Sequence, residues 1–295
     1  MTAAALALRR PAPPSHAKRN LGLLGAGLII GWAAVTLNID VGSILELPGG
    51  SAGLFYEMYL ESGPDWGYVP DALGYMIQSL AMAWFGTVIG AIISLPLGFF
   101  GAKNVSSGLV SNVMRQVLNA VRAFPELVLA VVVFIPIAGL GPVAGALAIG
   151  LHSVGTLGKL TAEVIEGIDE GPVEAARATG AGSLQVQRWG VLPQVLPEIV
   201  AFWLYRFEIN IRASAVLGVV GAGGIGFILQ QTLAFHRYPL AGTVLLVVVV
   251  VTIAVDTVSG FIRRRIIEGA EAKVTGEVVE AELRDAGPAT GPPGR

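Results

Sequence analysis

The chain has 295 residues, 54% of them apolar and only 14% charged, with a net charge of −2 and a mean hydropathy of +0.69. A soluble domain carries about 25% charged residues, so a soluble globular enzyme is excluded, and so is disorder, which needs a charge-rich and apolar-poor chain. The 39 glycines follow no G-x-y period, the pI near 6.0 leaves no electrostatic footprint for nucleic acid, and the absence of cysteine removes disulfides, thiol catalysis and Cys-ligated metals, leaving an all-α polytopic membrane protein.

Residues 1–19 read as a loose tail carrying Arg9, Arg10, Lys18 and Arg19. The uncharged run that follows has no A-x-A site, and Arg9-Arg10 precedes Pro-Ala-Pro, so an uncleaved first helix over 21–38 is expected rather than a removable signal. Residues 40–71 contain no Lys or Arg but six acids, Asp40, Glu46, Glu57, Glu61, Asp65 and Asp71, and read as an acidic external loop. The next uncharged run spans 72–102 and predicts a helix over 77–101. Residues 127–158 form a run of 32, too long for one span of about 20 residues. Pro136, Gly139, Gly141 and Pro142 divide it, which predicts helices over 118–138 and 143–166. Two further spans are expected over 197–220 and 241–260. The sum is six helices.

Lys and Arg set the orientation. Lys103, Arg115, Arg177, Arg188 and the triplet Arg263, Arg264, Arg265 share one side with the N-terminal basic residues, so both termini are expected to be cytoplasmic, with only Arg237 against the rule. The organisation expected is a tail at 1–19, a first helix and acidic loop at 20–75, a membrane domain at 76–262 with a cytoplasmic loop at 167–196, and a basic end with a flexible tail at 263–295.

That cytoplasmic loop is the most informative segment. Pro172 suits the first turn of a helix, and Glu174 is expected near its positive N-terminal end. Ala175, Ala176 and Gly180 leave a surface of small residues that another protein could approach, and Leu192-Pro193 closes the segment. A short helix held at both ends by membrane helices suits a mechanical joint better than a catalytic site.

Glu174-Ala175-Ala176-x3-Gly180-x11-Leu192-Pro193 resembles the EAA signature of ABC-importer permeases, although Gly190 stands where that family usually has an aliphatic residue. The stretch from Tyr205 through Arg206, Glu208, Asn210, Arg212 and Ser214 to Gly226, together with Arg122-Ala123-Phe124-Pro125-Glu126, is similar to the phosphonate-importer (PhnE-like) permeases of the MetI-like, binding-protein-dependent superfamily. The resemblance covers about residues 76–262. It implies the type I importer permease fold, a multi-pass inner-membrane location, and a role as the transmembrane subunit for phosphonate, phosphite or phosphate. It implies a homodimer docked on two ATPase subunits, which bind ATP and Mg, and fed by an extracytoplasmic substrate-binding protein. Glu174, Ala175, Ala176, Gly180, Leu192 and Pro193 are then the ATPase-coupling residues. A permease for methionine or betaine is the alternative, and a stand-alone secondary transporter a more distant one.

The other candidates each have two readings. Gly221-Ala-Gly223-Gly224-Ile-Gly226 matches G-x-G-x-x-G, but no acid follows between residues 240 and 255, as a dinucleotide site would require. A hinge at the end of span five is the reading kept. No Walker A motif occurs, so no ATP hydrolysis is expected on this chain. Arg206, Glu208, Asn210 and Arg212 lie deep in span five, where charge is costly and faces the bundle interior or a water path. Either Glu208 and Arg212, four apart, pair on one helix face as packing elements, or an arginine guides an anion along a translocation path. Arg122 and Glu126 are also four apart and are expected to pair at a kink, with Arg122 a secondary pathway candidate. No catalytic residue is expected, nor a metal site, since the histidines His16, His152 and His236 are scattered.

Overall fold

The computed structural model describes the backbone of residues 17–37 and 41–285, and side-chain surroundings for 19–37 and 49–269. Most of the expected N-terminal tail, Asp40, and residues 286–295 lie outside the described residues, as do the surroundings of Glu46. Among the described residues every regular element is a helix.

The chain divides after Tyr56. The first unit holds α1 (Ala17–Thr36) and α2 (Val41–Tyr56). α1 is the expected first span, and its Leu21, Leu28 and Ile30 side chains are exposed, as lipid contact requires. α2 departs from the expected acidic loop. Its only acid, Glu46, stands among Ile44, Leu45 and Leu47, and residues 41–56 carry apolar side chains enough for a helix.

The second unit begins at Glu57, not at residue 76. A π-helical turn, Glu57–Glu61, buries Met58, and a 3-10 turn, Trp66–Tyr68, is capped by Asp65, whose carboxylate accepts from the Gly67 amide at 3.0 Å. Tyr59 donates to the Gly242 carbonyl at 3.2 Å and Thr243 to the Asp65 carbonyl at 3.0 Å, which attaches this stretch to the last helix. There follow α3 (Val69–Gly101), α4 (Gly108–Ala123), α5 (Glu126–Ala138), α6 (Pro142–Glu166), α7 (Glu170–Ala178), α8 (Ser183–Ala222), α9 (Gly224–Ala234) and α10 (Tyr238–Asp285).

Three boundaries differ from expectation. The helix expected over 118–138 is broken at Phe124–Pro125, where α4 and α5 meet at 76°. A residue before proline is pushed out of the helical region, and Phe124 sits at φ −80°, ψ 123°. α8 starts 14 residues before 197, at Ser183, and widens into a π-helical turn over Gln187–Val191. Pro193 has no amide for the carbonyl four residues back, so the regular ladder cannot continue there. α10 runs on past residue 260, through the arginine triplet to Asp285, so the expected flexible segment from 263 is helical as far as it is described. The break expected near Pro136–Pro142 is present, with Gly139 at φ 78° and Gly141 at φ 140°. Among the described residues four helices are long and apolar enough to cross a membrane, and up to six spans result if α4 with α5 and α8 with α9 each count as one.

α3 and α6 form the centre. Their backbones meet because α3 presents glycine: a Cβ on Gly90 would lie 2.5 Å from the Ser153 Cβ, and one on Gly86 2.7 Å from Ile149 Cγ2. In lipid, where apolar burial does not drive helices together, close small-residue packing of this kind does. α4, α5 and α8 pack around the α3–α6 pair, and α9 and α10 close the other side around Met76, Ile211, Ile225 and Val244.

Candidate functional site

Three features of the second unit carry the residues singled out from the sequence. The first is α7. Asp169 accepts from the Gly171 amide at 3.0 Å, and Glu170 places a carboxylate in the first turn. Pro172 is in that turn as expected, but Glu174 is not at the positive end; it lies in the second turn, exposed beside Ala175. The helix ends in a Schellman motif: the Gly180 amide donates to the Arg177 carbonyl at 3.0 Å and the Ala181 amide to the Ala176 carbonyl at 3.4 Å. Gly180 has φ 77°, and no atom lies within 4 Å of the place of a Cβ, so the backbone angle rather than space demands glycine.

The inner face of α7 buries Val173 and half-buries Ala176 against Val186, Val191, Val195 and Ile199 of α8 and Ile165 of α6. Gly190 explains its own departure from the family pattern. A Cβ there would be 3.2 Å from Val173 Cα and 3.3 Å from the Pro172 carbonyl, so its absence lets α7 rest directly on the start of α8. Leu192 and Pro193 follow at the first turn of the regular part of α8.

Gln194 locks this contact, and the sequence reasoning missed it. Its side-chain oxygen accepts from the Asp169 amide at 3.1 Å, and its amide donates to the carbonyls of Asp169 at 3.1 Å and Gly190 at 2.6 Å. Glu166 was missed as well. It accepts from the Lys103 amide at 2.7 Å and pairs with Arg115, which donates through Nε to the Gly101 carbonyl at 2.8 Å. The ends of α3 and α6 are thereby tied to the middle of α4. No local pattern announces either knot; both need residues 20 or more positions apart.

The second feature is a polar cluster inside the bundle. Arg206 and Asn210, four apart, share one face of α8, turned toward α6 and α3. Arg206 Nε donates to Ser153 Oγ at 3.1 Å, and Asn210 Nδ2 donates to Ser153 Oγ at 3.1 Å and Thr87 Oγ1 at 2.8 Å. Arg206 is 7% exposed and the other three are buried. Its Nη2 stands 3.7 Å from Glu126 Oε2 across the α4–α5 break. The pair expected between Arg122 and Glu126 is therefore not formed; Arg122 is exposed at the end of α4 and makes no ion pair among the described residues. Nor does Glu208 pair with Arg212. Glu208 lies 3.6 Å from Arg263, and Arg212 bonds Asp256 at 3.2 Å, both on α10. An acid and a base on one helix face each find a partner on a neighbouring helix that approaches more directly. His152 takes up the Phe124 carbonyl at the break, with Nδ1 3.0 Å from it.

The third feature is the glycine turn, where α8 and α9 meet at 58°. Gly221, Gly223 and Gly224 have φ of 92°, 79° and 69°. Gly226 is required for contact, since its Cβ would overlap the Ala215 carbonyl. The first amides of α9 are already occupied: Gly224 N donates to Gln78 Oε1 at 2.8 Å and Ile225 N to Ser79 Oγ at 2.9 Å. Those two amides are thus taken up within the bundle rather than offered to a pyrophosphate.

A broken bundle with an exposed, doubly capped helix docked on a long membrane helix agrees with what the chain resembles among known proteins. The family described as "Binding-protein-dependent transport system inner membrane component" matches residues 94–268, more than half of the chain. The chain belongs to this family. It is a transport permease of the cell membrane, crossing it several times, and not an enzyme. It is 46% identical over 202 residues to "Phosphite transport system permease protein PtxC" of Stutzerimonas stutzeri, covering 66% of this chain and 73% of that protein. It is 36% identical over 277 residues to "Phosphate-import permease protein PhnE" of Mycolicibacterium smegmatis, covering 89% of this chain and about half, 51%, of that protein. Its fold is similar to a chain in an inward-facing structure of the MetNI methionine ABC transporter, with a TM-score of 0.58 and 24% identity over 64% of this chain and 93% of the other.

Proposed function

We propose that this chain is the transmembrane subunit of an ATP-driven importer for a phosphorus oxyanion: phosphonate, phosphite or phosphate. Two ATPase subunits, binding ATP and Mg, dock on its cytoplasmic face; an extracytoplasmic binding protein delivers the substrate; a second copy completes the pore; and both termini are cytoplasmic. The observation that carries the reading is α7. It offers Glu174 and Ala175 outward while Val173, Gly190 and Gln194 fix it to the start of α8, the helix that bears Arg206. Force applied at α7 therefore enters one continuous rod of 26 residues, Leu192–Leu217, about 39 Å long at 1.5 Å per residue. The rod is flanked by π-helical turns and ends at the glycine turn, which serves as the hinge.

ATP moves this assembly only through its different affinity for two arrangements of it. Arg206 and Asn210 line the path, since of Arg206, Glu208, Asn210 and Arg212 these two turn toward α3 and α6; Glu208 and Arg212 tie α8 to α10, and Arg122, exposed at the end of α4, lies off the path. The similarity to permeases named for phosphite and phosphate favours an oxyanion over the methionine or betaine alternative, and guanidinium suits such an anion. The test is reconstitution with the cognate ATPase and binding protein in proteoliposomes. ATP-dependent accumulation of phosphite is expected, abolished by Glu174→Arg with membrane insertion retained. Uptake undiminished by that substitution refutes the coupling assignment.

A further inference from the structure

Glu126 occupies a position that neither the coupling reading nor the pathway reading uses. It is the first residue of α5, directly after the 76° break, and it is the only carboxylate within ion-pair distance of Arg206 among the described residues. Arg206 is more than nine-tenths buried, and its Nη2 has no hydrogen-bond partner: the carboxylate, at 3.7 Å, is near enough to neutralise it but too far to bond it. Asn210 Oδ1 beside it is likewise buried and unpartnered. On its other side Glu126 lines a cavity of about 300 Å³ together with Pro125, His152, Ala213, Val216 and Leu217. The carboxylate thus stands between a space that reaches the surface and a guanidinium that does not.

We infer that Glu126 is a built-in competitor of the anionic substrate: it neutralises Arg206 at rest, and a phosphorus oxyanion entering the cavity beside His152 displaces it. This rests on the oxyanion reading above and deepens it. A tetrahedral oxyanion suits the unoccupied groups. Its oxygens would take the free Nη2 donor, and a protonated oxygen would donate to Asn210 Oδ1. Glu126 can withdraw because it follows a chain break, whereas Arg206 is held by Ser153 on α6. The exchange gives substrate a reason to alter the angle between α4 and α5, since only the resting arrangement needs the Glu126–Arg206 contact.

The absence of native cysteine makes the test direct. A single cysteine at Val216, exposed at the cavity, is introduced into the full chain in lipid nanodiscs. Its labelling rates with the anionic reagent MTSES and the cationic reagent MTSET are compared, each normalised to a neutral reagent so that changes in access cancel. Glu126→Gln is expected to raise the anionic-to-cationic ratio about tenfold and to make MTSES labelling slow in 20–50 mM phosphite, on the order of weak anion binding. Glu126→Gln with Arg206→Gln is expected to remove both effects. Glu126→Asp, which keeps the charge, should stay near the parent ratio. An unchanged ratio in Glu126→Gln, or phosphite protection that survives loss of Arg206, overturns the inference. Because no ATPase or binding protein is present, failure of the coupling assignment would leave these rates untouched.

Discussion

The backbone at Gly180 makes the sharpest prediction. At φ 77° an L side chain costs about 1–2 kcal/mol relative to glycine, with asparagine least affected because its short polar side chain tolerates the left-handed region. Nothing lies within 4 Å of the added Cβ, so no steric term confuses the measurement. Gly180→Val should therefore undo the Schellman turn, releasing the bonds to Arg177 and Ala176, while the α3–α6 centre keeps its fold. If the intact turn is what the ATPase reads, that cost appears in docking as roughly a 5- to 30-fold weaker complex. Gly180→Asn should lose only a few-fold. The assay is the affinity of the purified ATPase for the permease in nanodiscs, by surface plasmon resonance, with thermal unfolding of the permease as the control for folding. Equal losses for Val and Asn would refute the reasoning, because they would trace the effect to a side chain colliding with the partner rather than to the backbone. Wild-type affinity for Gly180→Val would refute it outright.

Four further outcomes follow from the same geometry. Gln194→Leu deletes three hydrogen bonds worth about 0.5–1.5 kcal/mol each and should lower uptake per ATP hydrolysed, measured by comparing ATPase and transport rates in one preparation. Arg206→Leu should abolish phosphite uptake, whereas Arg212→Leu, on the outer pair with Asp256, should leave at least half of it; equal effects would contradict their opposite placement. Gly90→Val drives a Cβ to within 2.5 Å of Ser153 and should lower the melting temperature in detergent by several degrees, from an overpacking cost of about 1–3 kcal/mol. A double-mutant cycle of Thr87→Val and Asn210→Leu should give a coupling of about 0.6 kcal/mol or more, the usual scale for a hydrogen bond between membrane helices.

The coarse architecture was legible because it rests on one-dimensional signals. The uncharged runs located α1, α3, α6 and α10, and the Pro-Gly cluster at 136–142 located a true break. The signature at 174–193 was legible for the same reason, as residue types at fixed spacing along one segment. What misled was a signal of equal kind given less weight. Pro125 divides its helix at 76°, a full break where residues 118–138 read as one span with a kink beside Arg122 and Glu126. The segment 41–56 misled in the opposite sense: the acids spread over 40–71 suggested a loop throughout, where 41–56, with Glu46 alone, has apolar content sufficient for a helix.

The polar residues of α8 show where such reading stops. Residues two apart on a helix point about 200° apart, and residues four apart nearly coincide. Arg206 and Asn210 therefore share one face and Glu208 and Arg212 the opposite one, and the structure agrees on both. The faces follow from the helix alone; the partners do not. An i,i+4 pair at a surface contributes only a few tenths of a kcal/mol, so it yields wherever a second helix brings a counter-charge. Arg263 and Asp256 arrive on α10, and Glu126 arrives from across a break that the charge pattern did not mark. Arg206 is consequently neutralised by an acid 80 positions earlier rather than by the glutamate two residues on, and that substitution of partners turns a packing pair into a displaceable one.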